Sequence, residues 1–256
     1  MFKYIFLKEI RAELYTWKST LWLLISSLIF SFTSYLLLTN KELSLLDQTE
    51  MLWLFSKIII GIGLLIVIID ASSIIATEFE KETAESLFLA PLSVKNFVLG
   101  KFFASITLWL AVFAVAIPYM IVTSAGSNLV FPFIGYVFLL GTFCVAGFVM
   151  MIFGFSFLFR SSKNVLTTSL IIALALTIPA TFTSTLKNNP LSGFLSKVNP
   201  IDNVFASLDN VLVDYQTSLI HNWQFILPIF IFCLLTLLFV FYGMKRFSSE
   251  GIIKND

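Results

Sequence analysis

The residues able to do chemistry in this chain are few, and most of them fall between Ala76 and Lys101. That stretch reads ATEFEKETAESLFLAPLSVKNFVLGK and carries Glu78, Glu80, Glu82 and Glu85, with Lys81, Lys95 and Lys101, and a break at Pro91. Elsewhere, Lys57 and Asp70 are the ionisable residues inside long apolar runs, where a charge is a functional hypothesis by default. Thirteen residues separate them, about 20 Å of helix, so they do not pair within one helix. Lys57 lies near one end of its run and can snorkel. Asp70 lies near the other, within reach of an anchor such as Arg160 or Lys163. His221 is the sole histidine, which excludes a multi-histidine metal site, and Cys144 and Cys233 sit in separate apolar runs with no disulfide or metal spacing. A phosphate-binding loop needs Gly-x-x-x-x-Gly-Lys-Ser/Thr. The single Gly-Lys, Gly100-Lys101, is followed by Phe102 and has Lys95 where the first glycine belongs, so no nucleotide binds in that way.

The elements that must position these residues are membrane helices. Of 256 residues, 58% are hydrophobic and 12% charged, against about half and about a quarter in soluble domains. Six runs are long and apolar enough for a hydrocarbon core of about 30 Å, near Ser19–Thr39, Met51–Ile75, Phe102–Ser124, Phe133–Phe159, Val165–Thr185 and Trp223–Met244. Before them, Phe2, Ile5, Phe6, Ile10, Leu14 and Trp17 recur at helical steps, with Lys8, Arg11, Tyr15 and Lys18 opposite. That pattern predicts an interfacial helix over Met1–Lys18, retained rather than cleaved. The whole chain, 1–256, reads as one transmembrane domain: 1–18 interfacial, 19–185 spans one to five, 186–222 an external loop, 223–244 span six and 245–256 a tail.

Orientation follows the Lys and Arg of the short loops. Lys3, Lys8, Arg11, Lys18, Lys81, Lys95, Lys101, Arg160, Lys163, Lys245, Arg246 and Lys254 fall on the side of both termini, leaving Lys41, Lys187 and Lys197 on the other. Both termini are therefore expected in the cytoplasm. In the 186–222 loop, Asn199-Pro200 starts a helix, and Ile201, Val204, Phe205, Leu208, Val211, Leu212, Tyr215 and Leu219 recur at helical steps, which predicts one or two amphipathic helices dipping onto the outer membrane surface, the alternative being a solvated loop that packs on itself. Gly147 and Gly154 share one face of span four and permit close helix packing, within the chain or at a dimer seam. Gly61 and Gly63 open span two.

Thr77, with Glu80 three residues on, reads as a capping box. A helix from Glu78 to about Leu89 would then break at Pro91, and Ser93 would cap the helix that becomes span three. Phe79, Leu87 and Phe88 are available for packing beside the acids. These residues alone suit either a docking lever for a cytoplasmic protein or an ordinary interfacial loop.

The run Glu78-x-Glu80-x-x-Thr83-x-Glu85-x-Leu87-x-x-x-Pro91-Leu92-Ser93, followed by Val98-Leu99-Gly100-Lys101, resembles the signature of ABC-2 type transporter permeases, the membrane subunits of type V ABC exporters. Glu82 stands where that family has glycine, and Phe88 where a second leucine is common. The resemblance implies an all-α membrane fold of six spans with an N-terminal elbow helix bearing Lys8, Arg11 and Trp17. It also implies a cytoplasmic coupling helix between spans two and three, and external helices between spans five and six. It implies a non-catalytic permease of the cell membrane, paired with a second permease chain and two copies of a cytoplasmic ATPase. ATP and Mg2+ would belong to that ATPase, and no cofactor or nucleic acid to this chain. Glu78, Phe79, Glu80, Glu82, Thr83, Glu85, Leu87, Phe88 and Pro91 would then engage the ATPase, and Lys57 and Asp70 would be candidates for the pathway. The Phe-rich spans suit an amphipathic or hydrophobic cargo such as a peptide, lipid or drug. The competing readings are an intramembrane enzyme, which needs clustered acid, base or nucleophile groups at membrane depth, and a small secondary transporter, which usually shows repeats and several midplane charges.

Overall fold

The computed structural model describes residues 2–39, 47–81, 94–181, 196–214 and 219–250. Among them every regular element is helical: α1 (Phe2–Leu14), α2 (Trp17–Thr39), α3 (Gln48–Ile74), α4 (Ala76–Glu80), α5 (Val94–Thr123), α6 (Val130–Phe159), α7 (Ser162–Thr181), α8 (Pro200–Leu212) and α9 (Leu219–Glu250). Five of the described helices are long and apolar enough to cross a membrane: α2, α3 run on through α4, α5, α6 and α9. The apolar stretch of α7, Ser162–Ile178, is shorter. The chain has the architecture of an all-α, multi-pass membrane protein. Hydrocarbon offers no hydrogen bonds, so polar groups in such helices must close on their own segment. Many hydroxyls do so, as Thr33 donates to the Ile29 carbonyl (2.7 Å), Thr107 to Phe103 (2.7 Å) and Ser156 to Ile152 (3.0 Å).

Helices α3 and α6 form the buried centre, with α5 packed on both. Their junction is keyed by Trp109 of α5, which is fully buried. Its ring lies against Gly63 of α3 and Gly141 of α6, where a Cβ would collide with it. The indole N–H donates to Thr142 Oγ1 at 3.0 Å, so the one polar atom of the wedge is satisfied. The α6–α9 contact uses the same device. Gly147 receives Phe232 and Cys233, Gly154 receives Phe239, and Gly243 sits against Phe157. Gly147 and Gly154 thus serve packing within the chain. The outward faces of α2 and α9 expose Leu28, Phe32, Leu234, Leu238 and Phe241, a surface that suits lipid rather than water.

The predicted interfacial helix ends sooner than Lys18. Helix α1 stops at Leu14, and Thr16 caps α2 by accepting from the Ser19 N–H (3.4 Å), so Trp17 and Lys18 open the first long helix. The α6–α7 reversal is also tight, with Arg160 in the left-handed region (φ 51°) and its N–H on the Ser156 carbonyl. Helix α8 starts as its sequence predicts: Asn199 Oδ1 accepts from the Ile201 N–H at 3.0 Å, with Pro200 in the first turn. Its apolar face does not meet a membrane surface. Ile201, Val204, Leu208 and Leu212 are buried against α3, α6, α7 and α9, and Asn199 Nδ2 donates to the Leu176 carbonyl (2.6 Å) to tie α8 to α7.

Candidate functional site

Charged side chains gather where α1, α2, α3, α4 and α5 meet, at the end of the bundle that carries the N-terminus. The short turn between α1 and α2 is held by Ser19 Oγ, which donates to the Leu14 carbonyl at 2.8 Å. It aims Lys18 across to α3, where Nζ donates to Asp70 Oδ1 at 2.8 Å. The Asp70 side chain is only 4% exposed while that of Lys18 is 47% exposed. This bridge replaces the anchor to Arg160 or Lys163 that position alone predicts: Lys18 is nearer because the turn at Thr16 brings it back over α3. Glu13 of α1 faces the same aspartate. Burial, then a hydrogen bond to Asp70 and the repulsion of its charge, push the Glu13 carboxyl up to about 8, against the pull of Lys18 and Lys101. The site thus favours the protonated form of Glu13.

A second group centres on Lys101 of α5. Its side chain is 9% exposed, and Nζ lies 2.8 Å from Glu9 Oε2 of α1 and 3.4 Å from Glu78 Oε1 of α4. Phe97 lies beneath it, 5.5 Å from Nζ to the ring centre. The Phe6 ring of α1 meets Phe103 of α5 edge-on at 5.7 Å, which sets α1 along α5. A buried cation needs such partners, because desolvation otherwise disfavours its charge.

Helix α4 is the most economical part of the site. Three consecutive residues address three different helices. Glu78 reaches Lys101 on α5, Phe79 packs on Phe157 of α6 with ring centres 5.7 Å apart, and Glu80 accepts from the first residue of α7. That last contact is threefold: the Ser162 N–H at 2.8 Å and its hydroxyl at 3.0 and 2.9 Å to the two carboxylate oxygens. An acid at a helix start meets unpaired N–H groups and the positive end of the dipole. The predicted capping box is not formed. Thr77 Oγ1 donates back to the Ser73 carbonyl (2.6 Å), Ile75 keeps helical dihedrals, and Glu80 is committed to Ser162. Helix α3 runs almost unbroken into α4, so there is no fresh start for Thr77 to cap. Glu82, Thr83, Glu85, Leu87, Phe88 and Pro91 lie outside the described residues.

Lys8, Arg11 and Trp17 are exposed. Lys57 lies at the far end of α3 from Asp70, with its ammonium 3.2 Å above the Trp53 ring centre and 5.4 Å from that of Phe205 on α8. Sequence reasoning missed Glu9 and Glu13. The signal was present: they stand four apart, hence on one face of α1, beside a turn that leads into an aspartate-bearing bundle. Comparison of the chain with protein-family models gives no match, and comparison with curated proteins gives none.

Proposed function

We propose that this chain is the permease subunit of an ATP-driven exporter, similar to the ABC-2 type. It would act as a pair of permease chains with two copies of a separate cytoplasmic ATPase in the cell membrane. In this reading α7 is a sixth span, α1 is an elbow helix, both termini are cytoplasmic, and α4 belongs to the coupling element, with Glu82, Thr83, Glu85, Leu87, Phe88 and Pro91 engaging the ATPase. The observation that carries the reading is the wiring of α4. Glu78, Phe79 and Glu80 each grip a different helix, so a displacement of α4 reaches α5, α6 and α7 together. An ordinary surface loop has no need of such a junction. Docking and transmission are then separable. Glu85→Lys with Leu87→Ala should abolish co-purification of a soluble P-loop ATPase. Glu80→Ala should leave the ATPase bound but make its ATP hydrolysis insensitive to cargo. Failure of any such ATPase to bind the wild-type chain overturns the reading.

A second reading, a small secondary transporter, draws on the carboxyl pair of Glu13 and Asp70, a group able to carry a proton. Transport in vesicles that survives ATP removal and collapses with the proton gradient would favour it.

A further inference from the structure

Two cavities flank Phe205, which lines both of them. One, of about 370 Å³, is lined by Lys57, Lys197, Asp202 and Asp209 around Trp53. The other, of about 290 Å³, is an apolar groove between α3 and α7, floored at Gly61 and flanked by Leu65, Leu170 and Leu174. Each is near the lower end of the volumes found for ligand pockets, about 300–1,000 Å³.

The polar cavity is built rather than incidental. Trp53 is fixed by its indole N–H, which donates to the Phe205 carbonyl at 3.0 Å. Asn203 Nδ2 donates to the carbonyls of Lys197 (3.0 Å) and Asn199 (2.8 Å), which holds the chain around Lys197 against α8. The Lys57 ammonium rests on Trp53 and feels the carboxylates of Asp209 and Asp202. The groove is open at its floor, since nothing lies within 4 Å of where a Gly61 Cβ would point, and Leu65 and Leu174 on its rim are exposed.

We propose that the two cavities form one binding site for a zwitterionic lipid, one whose headgroup carries a phosphate and a primary ammonium. The headgroup would lie between Lys57 and Asp209, and one acyl chain would run past Phe205 along Gly61. Charge complementarity selects the headgroup. An anionic head meets two carboxylates and a cationic head meets two ammonium groups, whereas a zwitterion pairs with both signs. The groove supplies apolar burial without discrimination. The proposal does not rest on the exporter reading, and its test needs no ATPase.

The test uses the purified full-length chain in detergent and two probes with the same fluorescent acyl chain, phosphatidylethanolamine and phosphatidylglycerol. The expected result is about tenfold tighter binding of phosphatidylethanolamine, the size of one charge-assisted contact. Asp209→Asn should erase that preference, and Lys57→Gln should weaken both probes, because both carry the phosphate. Gly61→Leu should weaken both by filling the groove. If Asp209→Asn fails to fold, Asp209→Ser carries the same comparison. Equal affinity for the two probes in the wild type, a preference that survives removal of the carboxylate, or no saturable binding of either would each overturn the proposal.

Discussion

Replacing Lys101 by Met keeps the length and apolar stem of the side chain and removes only its ammonium. Two carboxylates then lose their common cation: Glu9, 2.8 Å away with an 18% exposed side chain, and Glu78, 3.4 Å away and 26% exposed. Removing one partner of a fully buried pair costs about 3–5 kcal/mol. The Glu78 contact is long and both acids reach some water, so the loss here is about 2 kcal/mol. For a chain of this size that is roughly 4–8 °C in melting temperature. The loss comes from uncompensated charge, so Glu9→Gln in the Lys101→Met background should recover about half of it, although Glu9→Gln alone destabilises. Thermal challenge in detergent, followed by size-exclusion chromatography of the surviving monodisperse protein, measures all four members of the cycle. Melting of Lys101→Met at the wild-type temperature refutes the reasoning. So does a cycle whose coupling is below about 0.3 kcal/mol, because independent sites add to within that margin.

Glu13 gives a pH signature. Its carboxyl rises from the ordinary 4.5 to about 8 in the folded chain, so the native state holds a proton that the unfolded state releases between those values. The stability it contributes is full below about pH 4.5 and is lost as pH rises through about 8. Melting temperature should therefore fall across that window, and Glu13→Gln should flatten the fall. Gly63→Ala drives a methyl into the Trp109 ring and should lower stability by about 1–3 kcal/mol, the usual range for overpacking. Trp109→Phe in the same background should recover part of that in the same melting assay. Asn199→Ala removes the cap of α8 and its tie to the Leu176 carbonyl. A loss of about 1–2 kcal/mol is expected in the same melting assay. Asp70→Asn should weaken the grip of Lys18 on α3, and unchanged transport and ATPase stimulation in that variant would remove Asp70 from the functional site.

What could be read in advance was whatever is encoded locally. The long apolar runs announce their helices because about 20 consecutive apolar residues have few other uses. Asn199-Pro200 announces the start of α8 because a cap needs only its own next residues. The charged cluster was not legible in the same way. Lys18 and Asp70 are 52 positions apart, and Glu80 and Ser162 are 82 apart, so only the packing of five helices brings them together. Thr77 failed for a subtler reason. A threonine three before a glutamate caps a helix only where one begins, and here α3 arrives still wound. For α8 the amphipathic face was plain, but sequence periodicity cannot say whether an apolar face meets lipid or protein, and Val204 and Leu208 meet protein.

The triple grip of α4 also makes chain length itself a specified quantity. A helix turns about 100° per residue. One alanine inserted between Asp70 and Glu78 would therefore rotate Glu78, Phe79 and Glu80 by nearly a third of a turn and point each away from its partner, though every side chain survived. A deletion would do the same in the opposite sense. The spacing from Asp70 to Glu80 works like the tooth count of a gear: substitutions wear single teeth, whereas a change of count disengages all three contacts at once.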